Sequence, residues 1–450
     1  MKYLAILKDS FREALDTKVL YVMVGLSLLV ILFVASMSFT PAPAEDLMSK
    51  LIGGHVVGFD DLGRQGSFGE RRESRPGPGV QRQQYLGVEP LKGEADSPDS
   101  EYLITFKLLF PDEATTKKFR QDPEPTLAAL RKELRRFDKY GLLKITDIRL
   151  ADKANKLVQK DEVGLKDAKL GARTVYFEMT TQPTESTRRL WPYEISLFFG
   201  ALPIQTSAPL GFLLYFVASL VLSIGSWVTI IVSIIITAFF IPNMLRKGTV
   251  DLLLVKPIHR WTLLVYKFIG GLTFIFLNTA VAVTGIWLVL GLRSGVWANS
   301  FLLTILIITF FFAILYAVST LFGVLTRSAI VAILVTCGVW FLFYVVGTLY
   351  QVFDDRQKYE ENYKVAEEER WSDSPFGSVV RGVHYVLPRT SDLNRLMNKI
   401  IMSDFLTGDL SKASQVDTTS ITWGESLTVS LIFIGLMLGI SSWWFTTKDY

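Results

Sequence analysis

Long apolar runs without charge are the feature that most constrains this chain. Pro209 to Ile241 runs for 33 residues without Asp, Glu, Lys or Arg, and Val19 to Phe39 does so for 21. A helix needs about 20 apolar residues to cross a hydrocarbon core of roughly 30 Å, so both runs predict membrane spans. Because 20% of the residues are charged, the chain must also have parts that lie in water.

The order of these runs predicts an α-helical polytopic membrane protein with six transmembrane helices. An α+β extracytoplasmic domain is predicted between helices 1 and 2. Lys and Arg concentrate in the short segments on one side, which the positive-inside rule assigns to the cytoplasm. Both termini are then cytoplasmic, in a cell (inner or plasma) membrane. The predicted segments are a cytoplasmic amphipathic helix (1–18), helix 1 (19–40), the extracytoplasmic domain (41–208), helix 2 (209–241), a cytoplasmic segment (242–260), helices 3 to 5 (261–350), an extracytoplasmic loop with short amphipathic helices (351–424) and helix 6 (425–446).

The predicted extracytoplasmic domain opens with a segment rich in Gly and Arg, at 53–84, that is typical of a flexible loop. Its spaced glycines imitate a phosphate-binding loop, but they lack the Gly-Lys-Ser/Thr ending. Beyond it, the patterns at 102–110, 142–150 and 172–180 predict strands, and 124–140 predicts an amphipathic helix.

Several function classes have little support in the sequence. The single cysteine, Cys337, excludes an internal disulfide, and His55, His259 and His384 are too far apart for a motif. We therefore predict no catalytic and no metal-binding residues. A net charge of +4, with basic residues mainly beside apolar runs, also argues against nucleic acid as a partner.

A basic amphipathic segment separates the second and third spans. Ile241 to Gly271 reads IPNMLRKGTVDLLLVKPIHRWTLLVYKFIGG, which is too long for a tight turn and too apolar for a free loop. Gly248 allows a bend, and Pro257 ends a helix. The segment is either a re-entry loop held by positive charge or a surface on which a partner docks.

The same segment resembles the signature of type-2 ABC transporter permeases, in particular the subfamily grouped with permeases of multicopper-enzyme maturation. The ends of the chain, LAILKDSFREALDTKVLYVM and WWFTTKDY, are also similar to that family, so the resemblance covers 1–40 and 209–450. It departs at Met244, where the family often has an acidic residue, and at Tyr266, where it usually has Gly. The matching positions are Gly248, Thr249, Leu252, Leu253, Leu254, Lys256, Pro257, Arg260, Lys267 and Gly270.

This resemblance implies a permease subunit that couples ATP hydrolysis by a separate ABC ATP-binding subunit to export or extrusion of a substrate. The chain lacks Walker A and Leu-Ser-Gly-Gly motifs, so we expect it to have no ATPase activity and no cofactor, with ATP and Mg²⁺ on the partner. A family-like complex has two permeases, identical or paralogous, among membrane lipids. The alternative is a mechanotransmitting subunit that moves its extracytoplasmic domain without transport. The residues implied to couple to the ATPase are Gly248, Thr249, Leu252, Leu253, Lys256, Pro257 and Arg260.

A few polar residues lie within the predicted spans. They could line a polar path, or they could form hydrogen bonds that hold helices together. Lys267 lies near the end of its span, where it is expected to reach the interface by snorkelling. The scarcity of ionisable groups argues against a membrane enzyme. The polar candidates are Thr229, Ser233, Thr237, Asn278 and Thr279.

Overall fold

The computed structural model divides the chain into two compact units. The helical unit comprises Met1–Ala35, Val217–Asp404 and Val416–Tyr450, and the sheet unit comprises Ser36–Phe216 and Phe405–Gln415. The structure describes residues 19–52, 82–109, 113–122, 124, 127–128, 131, 142–151, 174–245, 259–363, 374–406 and 422–448.

The chain passes from the helical unit into the sheet unit after residue 35 and returns to the helical unit after residue 216. The first part contains α1 (Val19–Ala35), β1 (Ser38–Pro41), α2 (Ala44–Ile52), β2 (Arg82–Lys92), β3 (Glu101–Leu109), α3 (Glu113–Gln121), β4 (Lys144–Leu150), β5 (Thr174–Gln182), α4 (Thr187–Leu190), β6 (Pro192–Leu197) and β7 (Leu202–Pro209). The second part contains α5 (Leu210–Thr237), α6 (Phe240–Met244), α7 (Arg260–Ser294), a 3-10 helix (Asn299–Leu303), α8 (Thr304–Thr326), α9 (Ala329–Asn362), α10 (Pro375–Val386), α11 (Thr390–Phe405) and α12 (Trp423–Thr447).

Among the residues that the structure describes, five helical stretches are long and apolar enough to cross a membrane, which is consistent with a polytopic membrane protein. The first predicted span is present as α1, whose 17 described residues fall short of that length. The count of six transmembrane helices therefore stays a prediction. The five stretches are Leu210–Met244, Arg260–Ser294, Asn299–Thr326, Ala329–Asn362 and Trp423–Thr447.

Helix α8 forms the centre of the helical unit and packs against α7, α9 and α12. Its Tyr316 ring stacks on Phe268 at 4.9 Å and on Phe312 at 5.4 Å between centroids. Gly271 permits this contact, because a Cβ at that position would lie 2.6 Å from the Tyr316 ring. Close packing of an aromatic core around one glycine fixes α7 against α8.

The helix ends differ from two predicted span boundaries. Helix 1 was expected to reach residue 40, but α1 ends at Ala35 and Ser38–Pro41 pairs with β6 as a strand instead. Helix 2 was expected at 209–241, and the helical stretch Leu210–Met244 covers that range with a break at 238–239, before α6 begins. Pro242 explains the interruption, since its ring clashes with the carbonyl group four residues earlier.

The helix that contains the fifth predicted span extends beyond that span, because α9 continues to Asn362 rather than stopping at residue 350. Its last turns contain no Gly or Pro, and they carry pairs at i, i+4: Lys358 Nζ lies 3.1 Å from Asp354 and Arg356 Nε lies 2.8 Å from Glu360. Such pairs stabilise a helix in water. The segment 351–424 therefore begins as helix and not as loop, with α10 and α11 as its short amphipathic helices.

The described residues of the sheet unit form two antiparallel sheets, with strand orders β2-β3-β5-β4 and β1-β6-β7. The predicted strands correspond to β3, β4 and β5, whereas β1, β2, β6 and β7 were not predicted. In the core, the Tyr102 hydroxyl donates to the Ser97 carbonyl at 2.5 Å, and burial raises the pKa of Tyr102 to about 12. The predicted helices at 1–18 and, for the most part, 124–140 lie outside the described residues.

Candidate functional site

The predicted coupling segment is described at its two ends. Gly248, Thr249, Leu252, Leu253, Lys256 and Pro257 lie outside the described residues, which stop at Leu245 and resume at His259. Arg260 is described and is the first residue of α7. The structure therefore describes the residues that directly precede and follow the undescribed part of the segment, and the contacts that those residues make.

Both ends of the segment are attached to one apolar cluster. It brings together α6, the start of α7 and the ends of α8 and α12, with Tyr266 and Trp444 packed against it. Gly323 of α8 faces α6, and a Cβ there would be in ordinary van der Waals contact with Ile241 at 3.4 Å. We call this set the basal cluster: Ile241, Met244, Leu245, Leu263, Leu264, Val324 and Phe445.

Arg260 connects the start of α7 to the end of α12. Its Nη1 donates to the carbonyl of Lys448 at 2.9 Å, and Lys448 Nζ lies 5.0 Å from the centre of the Trp444 ring. Carbonyl groups at a helix C-terminus have no partner within the helix, so a guanidinium is a suitable donor there. A displacement of α7 would consequently reach α12 through both the apolar contact and this hydrogen bond.

An apolar cavity of about 240 Å³ lies among α1, α5 and α7. Three of the five polar candidates, Thr229, Asn278 and Thr279, line it. Ser27 of α1 donates to Asn278 Oδ1 at 3.4 Å, whereas the buried Thr279 hydroxyl has no partner among the described residues. The cavity thus combines an apolar wall with a small group of polar atoms.

The other two polar candidates do not reach this cavity. Thr237 and Ser233 are both fully buried, and Thr237 Oγ1 donates to the Ser233 carbonyl at 2.8 Å within the same helix. Hydroxyls that bond back to the preceding turn are common in apolar helices. The geometry separates this pair from Thr229, Asn278 and Thr279, which lie together.

A second cavity, of about 330 Å³, lies among α5, α8, α9 and α11. Five aromatic residues line it, and three of their rings are in contact: Trp227 lies 4.5 Å from Trp340 and 5.6 Å from Tyr344, between centroids. We call it the aromatic cavity. Its uncharged polar side chains are Ser226, Thr348, Gln351, Thr390, Ser391 and Asn394.

The opposite end of the helical unit from the basal cluster carries many charges in close pairs. Arg395 of α11 contacts Asp354 at 3.4 Å and Asp355 at 2.9 Å, both at the end of α9. His384 Nε2 lies 3.3 Å from Asp392 Oδ2, and both side chains are buried. We call this set the charged cap: Asp354, Asp355, Lys358, His384, Asp392 and Arg395.

Comparison with protein families finds a match over almost the whole chain. The family model described as ABC-2 family transporter protein matches residues 4–450. The chain belongs to the ABC-2 transporter family. A search among curated proteins returned no match. This ABC-2 protein is thus a membrane component of an ABC transporter, a class that works with an ATP-binding subunit.

Family membership gives a context for the residue at which the resemblance is weakest. Met244 of this ABC-2 protein is buried in the basal cluster among leucine, isoleucine and phenylalanine side chains. A carboxylate at that place would lose its water, and the described buried side chains of the cluster, all apolar, would offer it no partner, which is unfavourable. The methionine is therefore consistent with the apolar surroundings that the chain provides for it.

Lys267 is not placed as the sequence indicated. Its side chain was expected to snorkel to the membrane interface, but only 5% of the residue is exposed, so it is covered by protein. An ammonium group inside a helical bundle requires polar partners. In this ABC-2 protein, Lys267 therefore lies in the protein interior, where α7 packs against other elements, and not at the edge of that contact.

The aromatic cavity is the part of the site that sequence reasoning missed. In the sequence, Trp227 and Trp340 are aromatic residues within apolar runs, which are usually packing residues or interface anchors. The lining residues of the cavity are spread from 226 to 397 over four helices, and each helix contributes only a few of its residues. No local pattern could have indicated it.

Among the described residues of this ABC-2 protein, no group of His, Cys, Asp and Glu is arranged to hold a metal ion.

Proposed function

We propose that this ABC-2 protein is a permease subunit, similar to those of multicopper-enzyme maturation, that exports or extrudes a lipid-like substrate. A separate subunit would bind ATP and Mg²⁺ and hydrolyse ATP, while this chain would bind no cofactor. Two permease chains, identical or paralogous, would form the complex among membrane lipids. Each would cross the membrane six times, counting α1, with both termini in the cytoplasm.

The basal cluster is the observation that carries the coupling role. The segment 246–258 leaves the cluster at Leu245 and returns to it just before Leu263 and Leu264. A partner that pushes on the segment would move α6 and the start of α7 together, because they share one apolar contact. Val324 and Phe445 would carry the movement to α8 and α12.

The two cavities support a lipid-like substrate. Binding sites for small molecules are concave and mostly apolar, with a few polar groups that fix orientation. The apolar cavity would accept hydrocarbon, and the aromatic cavity would accept a larger uncharged group on its polar and aromatic side chains. Ser226 of α5 lines both cavities, so a tilt of α5 would change them together.

A mechanotransmitting role is the second candidate, and α9 favours it. This helix has 34 residues, which corresponds to roughly 50 Å at 1.5 Å per residue. It runs without interruption from the turn at Arg327 to the charged cap. A rigid rod of this length could transmit movement across a membrane without any substrate.

An efflux assay distinguishes the two candidate functions. In proteoliposomes, a transporter would show ATP-dependent efflux of a fluorescent lipid analogue, and a mechanotransmitter would hydrolyse ATP without efflux.

Arg260 and Arg293 provide a matched test of coupling. They lie at opposite ends of α7, and both donate to a carbonyl at a helix end, Arg260 to Lys448 at 2.9 Å and Arg293 to Ala35 at 2.8 Å. We expect Arg260→Ala to lower the amount of substrate moved per ATP hydrolysed. Arg293→Ala, at the opposite end of the helix, should leave that ratio unchanged.

The assay uses the complex purified from its native membrane, with ATPase activity and efflux measured on the same sample. The proposal fails if an ATP-binding subunit is consistently absent from the purified complex. Equal ratios for both variants and the unmodified chain would argue against the coupling role of Arg260, while leaving membership of the transporter class intact.

A further inference from the structure

The hairpin between β6 and β7 ends in an exposed apolar tip. Phe198 is 53% exposed, Phe199 66% and Leu202 55%. The surrounding sequence from 195 to 204, ISLFFGALPI, contains no charged residue. Single exposed apolar side chains are normal on a protein surface, but a contiguous apolar patch marks an interaction site.

The backbone holds the two phenylalanines in an unfavourable conformation. Phe198 has a φ of 51° and Phe199 a φ of 57°, in the left-handed region that bulky residues rarely adopt. Glycine or asparagine would fit these positions with less strain. Strained residues persist where the surrounding structure fixes them and are frequent at functional sites. Here the strain keeps two aromatic rings on the outside of the tip.

A hydrogen bond ties the tip to the point at which the chain leaves α1. The backbone N–H of Phe199 donates to the carbonyl of Ser36 at 2.7 Å, and Ser36 directly follows Ala35, the last residue of α1, in the sequence. The adjoining β1 then pairs with β6, with Ser38 opposite Ser196. The tip is thereby hydrogen-bonded to the residue that directly follows α1 in the chain.

We propose that this tip, Phe198 to Leu202, inserts into the headgroup region of the lipid bilayer on the face where α1 ends. Aromatic residues concentrate at membrane–water interfaces, and apolar side chains there enter the boundary between headgroups and acyl chains. The absence of charge at the tip favours lipid over a protein partner that would be recognised through ion pairs. Insertion would anchor the hairpin that leads into α5.

A spin label at the tip tests the proposal in the full-length protein. Cys337 is replaced by serine, Phe199→Cys is introduced and labelled, and the protein is placed in nanodiscs of phosphatidylcholine and phosphatidylglycerol. Power saturation then compares collisions with oxygen, which concentrates in lipid, and with a nickel chelate, which stays in water. Leu91→Cys is the matched control, because Leu91 is also an exposed apolar residue of the sheet unit, in β2.

We expect the label at 199 to collide more with oxygen than with the nickel chelate, and the label at 91 to show the opposite order. A water-like order at both sites would overturn the proposal. Broadening at 199 that disappears when labelled protein is diluted with unlabelled protein would also overturn it, because the tip would then contact a second copy. If Phe199→Cys does not fold, the same readout at Leu202→Cys decides, since Leu202 lies in β7.

Discussion

The two ends of the helical unit are built from different chemistry. At the basal cluster, helix ends meet through side chains such as Leu264 and Phe445, and the contact is apolar. At the charged cap, Arg395 and Asp354 connect α11 to α9 through ion pairs. Apolar attraction has no preferred direction, whereas charged hydrogen bonds depend on geometry. The difference indicates that helices can slide past one another at the basal cluster when the coupling segment moves. At the charged cap, the helices keep their arrangement.

Loss of a side chain from the basal cluster should have the largest effect. Leu264 is completely buried, and Leu264→Ala should lower the free energy of unfolding by about 2–5 kcal/mol, the usual range for a leucine in a packed core. Denaturant unfolding of the purified protein in detergent measures this. The transported amount per ATP should fall as well, because α6 and α7 would no longer move together.

Leu288→Ala is the control for this change. Leu288 lies on the same helix but is 45% exposed, so its truncation leaves no cavity inside the protein. A loss of stability as large as that of Leu264→Ala would show that the basal cluster is no better packed than the helix surface. The proposed difference between the two ends of the helical unit would then be unsupported.

The charged cap can be tested through the close approach of α9 to α11. A Cβ added at Gly347 would lie 2.8 Å from Cβ and 2.9 Å from Oγ of Ser391. Gly347→Ala should therefore force the helices apart and lower the free energy of unfolding by about 1–3 kcal/mol, as overpacking generally does. The same denaturant titration applies.

Gly338 of the same helix is the matched control, because a Cβ there meets nothing within 4 Å. Gly338→Ala should raise stability by up to about 1 kcal/mol through helix propensity alone. If Gly347→Ala were also stabilising, the cap would have room to adjust, and it could not be described as the fixed end.

The sequence was sufficient for the parts of the fold that depend on local patterns. Long uncharged runs predict helices in apolar surroundings with little ambiguity, and α7, α8 and α12 lie where such runs predicted them. The limits of α1 and α9 were less predictable. Whether Ser38–Pro41 continues a helix or joins a sheet depends on β6, about 150 residues further along the chain.

The candidate site shows the same division. Thr229, Asn278 and Thr279 could be selected from the sequence because polar side chains are conspicuous in an apolar run, but their common cavity depends on the packing of three helices. The aromatic cavity could not be predicted, since Trp227 and Trp340 are ordinary residues in their own helices. The contact between them arises only when α5 and α9 are brought together.

The smallest expected change in the free energy of unfolding comes from single ion pairs of the charged cap. Measuring it compares the strength of these ion pairs with that of the apolar contacts in the basal cluster. The side chain of Arg395 is 12% exposed, that of Asp354 14% and that of Asp355 64%. A double-mutant cycle with alanine should give a coupling energy of about 1–2 kcal/mol for Arg395 with Asp354, because hydrogen bonds to charged groups are stronger when shielded from water. For Arg395 with Asp355 it should stay below about 1 kcal/mol, as for exposed pairs.

Salt distinguishes the two couplings further. Exposed charges are screened over about 10 Å at 0.1 M salt, and shielded pairs are screened much less. The coupling of Arg395 with Asp355 should therefore vanish in the same cycle at 1 M salt while that with Asp354 persists, and the effect of Leu264→Ala should not decrease. If both couplings disappeared together, Asp354 would be held no more firmly than a surface carboxylate. The cap would then be as free to rearrange as the basal end.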